Sequence, residues 1–313
     1  MKSMIKHLLI LLLTLLVPLQ THAREKVTVI LDWLPNPNHG PLVVAKELGY
    51  FKEAGLDVEL IGPTDPSDPP KWVAAKKADV AITYQPKFMQ YVDRGLPLIR
   101  IGTLIDKPLS CVVALKERGI NDITDLKNKR IGSSTSGLTS ILLNKLLAKA
   151  DLSQQDVTLI HVKYNLNQAL LTHRVDAVSG MMRNVEVPEL EALGHHVVAF
   201  FPEEHGVPTY SELIYVAHVN HQHDAKLKRF IQATEKATRY IIHHPKEAWQ
   251  LFVKAYPAEK SPVNEKIWFY TVPYFDDTPN DFYAPEWKQF AQFLYDNKLI
   301  KTIQPMSRYA IRV

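Results

Sequence analysis

The residues Leu31 to Phe51, LDWLPNPNHGPLVVAKELGYF, constrain this chain more than any other stretch. An apolar β-type run, Val27 to Ile30, leads into a polar turn braced by Pro35 and Pro37, which bar a regular helix until about His39. A helix is then expected to reach Gly49. Pro41 suits its first turn, Leu42, Val43, Ala45 and Leu48 give it one apolar face, and Gly49 suits a left-handed stop. Packing does not call for Asp32, Trp33, Asn36, Asn38 and His39 together at a strand end. In open α/β sheets ligands sit outside the carboxyl ends of strands, so this turn is expected to be one wall of a small-molecule cleft.

The same alternation continues along the chain. Leu56 to Ile61 reads as a second strand, parallel to the first, and Gly62 to Pro70 as a proline-rich loop. A short helix over Trp72 to Lys77, a strand over Asp79 to Thr83, a helix over Pro86 to Arg94 and a strand over Leu98 to Leu104 follow. The apolar run Cys111 to Leu115 reads as closing this first lobe, with the boundary set between residues 110 and 111. A second unit starts near Ile123. Ile131 leads into the turn Gly132 to Gly137, then a helix Leu138 to Lys149, a strand Val157 to Val162, a helix Leu166 to Thr172, and strands Asp176 to Ser179 and Val197 to Phe201. Leu213 to Val219 reads as the return to the first lobe, followed by helices over Ala225 to His243 and Pro245 to Ala255. An aromatic stretch, Trp268 to Trp287, precedes a last helix near Gln289 to Asn297. The expected division is 24–110 with 214–313 for one lobe and 111–213 for the other.

The first 23 residues carry Lys2 and Lys6, an apolar core from Leu8 to Val17, and Thr21-His22-Ala23, the form of a cleaved secretory signal peptide. The apolar run is shorter than the roughly 20 residues that span a bilayer. No cysteine follows it to carry a lipid. Export without an anchor points to the periplasm. Without this segment 35 of the 37 basic residues remain against all 33 acidic ones, a balance that gives no footprint for nucleic acid. The single cysteine, Cys111, lies in an apolar run and is expected to be a buried hydrophobe.

Several motifs resemble one family along nearly the whole exported chain. The pattern D-W-x-P-N-x-x-H-x-x-x-x-x-A-x-x-x-G-Y-F from Asp32 to Phe51, then GPTDPSDPPKWVAAKKADVAI, GTLIDKP, GSSTSG and GMMRNVE, are similar to the ThiY-like periplasmic receptors for thiamine-pyrimidine precursors of ABC importers. The superfamily also holds fungal enzymes that synthesise that pyrimidine, and SsuA-like sulfonate receptors. The resemblance implies a two-lobed α/β fold, the type II periplasmic binding protein fold with two hinge crossings. It also implies an aminopyrimidine ligand and an ABC permease as partner, the membrane being met only through that permease.

Candidate ligand-binding residues follow from these two lines together. The Trp33 indole can stack on a flat ring. Asp32, Asn38 and His39 share its turn, and Tyr84 follows the strand that ends at Thr83. Glu186, after a second-lobe strand, offers a carboxylate to an aminopyrimidine. Met182 stands where ThiY-like receptors carry an aromatic, and its thioether can pack on a ring. Ser133, Ser134, Thr135 and Ser136 precede a helix, where hydroxyls and backbone N–H groups hold an anion or carbonyl, or simply cap the helix. Tyr210 and Glu212 stand before the return crossing. His218, His221 and His223 have spacings that do not place them on one face, so no metal is expected.

Enzyme and receptor readings make different demands. The resemblance to the fungal synthases puts Thr83 where their cofactor lysine stands and Lys87 where their donor histidine stands, and the segment VPTYSE has no cysteine where theirs is cysteine-rich. All three departures favour a receptor without a resident cofactor. An obligate anion calls for a cleft arginine or lysine, and Arg183 is the residue that would supply it by turning inward to Glu186. Residue chemistry by itself supports a small, flat, polar ligand. The pyrimidine, as hydroxymethyl or formylaminomethyl derivative, comes from the resemblance.

Overall fold

A computed structural model describes residues 23–134 and 138–313. The signal-peptide expectation, and with it Thr135 and Ser136 of the serine-rich turn, lies outside the described residues. Ten strands run in chain order: β1 Glu25–Ile30, β2 Leu56–Ile61, β3 Val80–Thr83, β4 Leu98–Ile105, β5 Ser110–Leu115, β6 Arg130–Ser133, β7 Thr158–His161, β8 Ala177–Met182, β9 Val197–Phe200 and β10 Leu213–His218. They form two five-stranded sheets of the same design, β2-β1-β3-β10-β4 and β7-β6-β8-β5-β9. In each, four strands run in one direction, and a fifth, arriving from the other sheet, pairs antiparallel with the neighbour on either side. The chain therefore passes between the sheets twice, after β4 and after β9.

The burial of each strand follows its sequence. β3, β4, β5 and β10 are buried along their whole length and are mostly apolar, as strands covered on both faces are, with Arg100 and Thr103 of β4 the buried polar exceptions in its middle. β2, at a sheet edge, alternates buried with exposed residues at its start. The run Cys111 to Leu115 does not end the first lobe but lies in the second sheet between β8 and β9, on the second-lobe side of the boundary set between residues 110 and 111. Apolar pattern identifies a buried strand, but does not say which sheet buries it.

The turn after β1 differs from the expected single helix His39 to Gly49. A 3-10 turn, Pro37–His39, feeds an α-helix Gly40–Glu47, and Gly49 takes φ +77°, the left-handed stop. Gly40 is required by close approach, since a Cβ there would meet the Trp268 ring at 2.8 Å. Trp268 is fully buried, and its indole N–H donates to the Pro245 carbonyl at 2.8 Å. The C-terminal third thus presses on the turn that opens the cleft.

Two further elements shift for identifiable reasons. The helix expected over Trp72 to Lys77 is Pro69–Ala74, because prolines are accommodated at the first two helical positions. Helix Pro262–Thr271 was not anticipated, although Ser261, whose hydroxyl accepts from the Asn264 N–H, followed by Pro262, is a start signal. This helix packs against the Pro37–His39 turn of one lobe and the helix Glu186–Ala192 of the other. No helix of the described residues is long and apolar enough to cross a membrane.

Candidate ligand-binding site

A cavity of about 300 Å³ lies between the two sheets. Its walls come from the carboxyl ends of parallel strands: Asp32 to Asn36 and Asn38 after β1, Tyr84 after β3, Ser134 after β6, Tyr164 to Gln168 after β7, and Met182, Val185, Glu186 and Glu189 at and beyond the end of β8. Glu259 reaches the cavity from the C-terminal region.

The first wall is held by its own hydrogen bonds. Asn36 caps the 3-10 turn, its Oδ1 accepting from the Asn38 N–H at 2.9 Å, while His39 Nδ1 accepts from the Asn36 N–H at 3.2 Å. That places the imidazole proton on Nε2, which donates to Asp32 Oδ1 at 3.0 Å. The Tyr84 hydroxyl donates to Asp32 Oδ2 at 2.9 Å. Burial, and next the Asp32 carboxylate, push the Tyr84 pKa well above its ordinary value, so its hydroxyl stays a donor.

The opposite wall is acidic. Glu186 Oε2 accepts from the Met182 N–H at 2.7 Å, and Glu189 Oε2 accepts from Asn167 Nδ2 at 2.6 Å. Burial and then the Glu189 charge raise the Glu186 pKa to about 8, against the pull of the Met182 N–H. Burial also raises Glu189 and Glu259. Four carboxyl groups, those of Asp32, Glu186, Glu189 and Glu259, thus line the cavity, and the described lining has no Lys, Arg or His.

Aromatic side chains close the cleft. Trp33 meets Tyr164 edge to face, with centroids 4.6 Å apart, and the Tyr164 hydroxyl donates to the Pro63 carbonyl at 2.6 Å. Both contacts join elements of different sheets, so the structure is of the closed arrangement.

Seven of the expected residues line the cavity together: Asp32, Trp33, Asn38, Tyr84, Ser134, Met182 and Glu186. Others stand elsewhere. His39 is fully buried behind Asp32. Ser133 is the last residue of β6, and its carbonyl accepts from Val162 rather than facing the cavity. Tyr210 packs on Phe290, with centroids 5.3 Å apart. Glu212 is a clamp at the crossing: its carboxylate accepts from the Leu109 N–H, the Ser110 N–H and the Ser110 hydroxyl at 2.6, 2.9 and 2.6 Å. Its polar character reflects partners inside the protein. His218 and His221 do come together, 5.8 Å between rings, but His218 caps a turn and His221 pairs with Asp224. Among the described residues no three His, Cys, Asp or Glu side chains are placed to hold a metal.

Sequence reasoning passed over Tyr164, Asn165, Asn167, Gln168, Glu189 and Glu259. The strand-end rule that found Asp32 applies equally after β7, where YNLNQ is polar and aromatic, so that signal was available. Glu259 sits in a 3-10 turn far along the chain, Pro257–Glu259, and no local pattern marks it.

Comparison with known proteins agrees with this architecture. A family model described as NMT1/THI5 like matches residues 36–248. The chain belongs to the NMT1/THI5-like family. Among relatives, this NMT1/THI5-like chain is 42% identical to a Haemophilus influenzae protein named for thiamine biosynthesis, over 96% of each chain. It is 30% identical to the formylaminopyrimidine-binding protein of Halalkalibacterium halodurans, over 78% of this chain and 75% of that one. It is also 28% identical to a 4-amino-5-hydroxymethyl-2-methylpyrimidine phosphate synthase of Legionella pneumophila, over 82% and 81%. The solved alkanesulfonate-binding protein SsuA of Xanthomonas axonopodis shares the fold of the NMT1/THI5-like chain, with a TM-score of 0.71 at 15% identity over 92% and 98% of the two chains. The expected two-lobed periplasmic binding protein fold is therefore the observed one.

Proposed function

We propose that the protein is an exported periplasmic receptor that holds an aminopyrimidine precursor of thiamine between its lobes and delivers it to an ABC permease. The observation that carries this is the pairing of aromatic walls, Trp33, Tyr84 and Tyr164, with four carboxyl groups and no cationic side chain in the described lining. A flat base with an exocyclic amine gains stacking from the first and charge-assisted hydrogen bonds from the second. A sulfonate would meet four carboxyl groups and no cationic side chain in the described lining. The likeness to the formylaminopyrimidine-binding protein supports the same ligand class. The lobe division 24–110 with 214–313 and 111–213 fits a receptor that closes by hinge motion.

The synthase names among the relatives keep a second reading in view. Synthesis in that branch draws on pyridoxal phosphate and iron, and the residues here do not fit them. Thr83 lies within β3 and offers no amine, and the described cavity lining holds no cation for a phosphate ester. Lys87 is buried under the Tyr91 ring, 5.6 Å from its centroid, and does not line the cavity.

The test is a thermal-shift titration of protein recovered from the periplasm of a Gram-negative host. Stability should rise with the logarithm of concentration for hydroxymethyl or formylaminomethyl aminopyrimidine, and stay flat with taurine, nitrate and pyridoxal phosphate. Intact mass of the same sample should begin at Arg24. Saturable stabilisation by taurine or by pyridoxal phosphate in place of the aminopyrimidine would contradict the proposal.

A further inference from the structure

The polarity of one cavity wall is dictated by residues outside it. Thr271, fully buried at the end of helix Pro262–Thr271, has its hydroxyl 2.8 Å from the Ile267 carbonyl. A carbonyl only accepts, so the single hydroxyl proton is spent there. Thr271 Oγ1 must then accept from Asn184, which identifies the amide atom 2.8 Å away as Nδ2. The same nitrogen is 2.8 Å from Asn38 and donates its second hydrogen to Asn38 Oδ1. The other end of the Asn38 amide is therefore its nitrogen. It lies 3.0 Å from the Met182 sulfur, which can only accept. Both ends of the chain of bonds require the same amide orientation.

A second observation supports this direction. Asn184 Oδ1 is buried without a partner among the described residues, a cost accepted so that its nitrogen can make both bonds. Asn38 Nδ2 keeps one hydrogen with no acceptor among the described residues, and Asn38 lines the cavity.

We propose that Asn184 and Thr271 are positioning residues that fix Asn38 as a hydrogen-bond donor to the ligand. Neither lines the cavity. The inference rests on the receptor reading above and narrows it: the ligand carries an acceptor, a ring nitrogen or a carbonyl or hydroxyl oxygen, opposite Asn38. It also ties selection to closure. Asn38 follows β1 in one sheet and Asn184 follows β8 in the other, so opening the cleft breaks their bond and frees the Asn38 amide to turn over.

The test is a cycle of ligand and protein changes read by calorimetry. The probes are 4-amino-5-hydroxymethyl-2-methylpyrimidine and analogues that each lack one acceptor, by replacement of a ring nitrogen with CH or of the hydroxymethyl with methyl. In the wild type, removing the acceptor opposite Asn38 should cost about tenfold, equivalent to about 1.4 kcal/mol. In Thr271→Val that penalty should shrink below about threefold, with Thr271→Ser restoring it. Asn184→Ala should behave like Thr271→Val and serves if the valine variant does not fold. Equal penalties in wild type and variants, or a uniform loss for every probe, would overturn the inference while leaving the receptor reading intact. A wild type that binds none of the probes would overturn both.

Discussion

The Arg183 guanidinium pairs with Glu203 at 2.6 Å and stacks on the Phe201 ring, 4.2 Å from its centroid. Its Nε also faces the Leu109 carbonyl at 3.4 Å. The one cation that the sequence allowed as a partner of Glu186 is thus committed elsewhere, and the acidic wall stays without a counter-charge among the described lining residues. Arg183→Ala should therefore leave aminopyrimidine affinity within about twofold. It should still lower the melting temperature by about 2 °C, through loss of a half-buried ion pair and its ring contact worth about 1 kcal/mol.

Glu186 makes both stability and binding depend on pH. Its pKa is raised to about 8 by burial and by Glu189, from an ordinary value of 4.5. Between those values the folded protein keeps a proton that the unfolded chain has released, so this group's contribution to stability falls as pH rises from 4.5 to 8. Glu186→Gln should remove that slope and melt higher than wild type at pH 8, with the gap closing by pH 5. The same variant should bind the aminopyrimidine about threefold to tenfold more weakly at pH 7, because an amide nitrogen replaces one of the two carboxyl oxygens offered to the exocyclic amine. Thermal melts and calorimetry across that range check both signs.

Tyr164 joins the lobes through its ring and its hydroxyl separately. Tyr164→Phe keeps the edge-to-face contact with Trp33 and loses only the bond to the Pro63 carbonyl. Affinity should fall about three- to tenfold, the worth of one hydrogen bond, and the change should appear in the dissociation rate.

Trp33→Ala removes both a lobe-to-lobe contact and the ring proposed to stack on the ligand. The loss should exceed about tenfold, since an aromatic pair adds about 0.5–1.5 kcal/mol beyond the area buried. Titration calorimetry of Trp33→Phe beside it separates stacking, which phenylalanine partly restores, from the size of the indole.

Glu212 should act on folding alone. Glu212→Gln puts an amide nitrogen where the carboxylate now takes three donors at the crossing, and should cost about 1.5–3 kcal/mol in denaturant melts. Ligand affinity of the folded fraction should be unchanged.

The clamp at Glu212 also shows where sequence stops being informative. Buried polar residues at strand ends look alike whether their partner is a ligand or the protein itself. Asp32, Asn38, Tyr84 and Glu186 were legible as residues of the cavity wall because each stands within a few residues to one turn beyond a strand end. His39 and Glu212 satisfied the same rule and stand outside the cavity lining, bonded to Asp32 and to the crossing at Leu109 and Ser110. The two βα lobes were legible from alternating apolar runs and helix stops, down to the left-handed Gly49. Sheet membership was not, as Cys111 to Leu115 shows, because pairing across the two crossings is a long-range choice. The relay from Thr271 through Asn184 to Asn38 joins three distant segments, and no periodicity encodes it.

The most direct test of the acidic, aromatic cleft is calorimetric titration of the purified protein at pH 7 with 4-amino-5-hydroxymethyl-2-methylpyrimidine and, in parallel, with taurine. Saturable binding of one aminopyrimidine per chain, with no heat from taurine, is the expected result. Binding of taurine with none of the aminopyrimidine would mean that the cavity lined by Asp32, Glu186, Glu189 and Glu259 is not the ligand site.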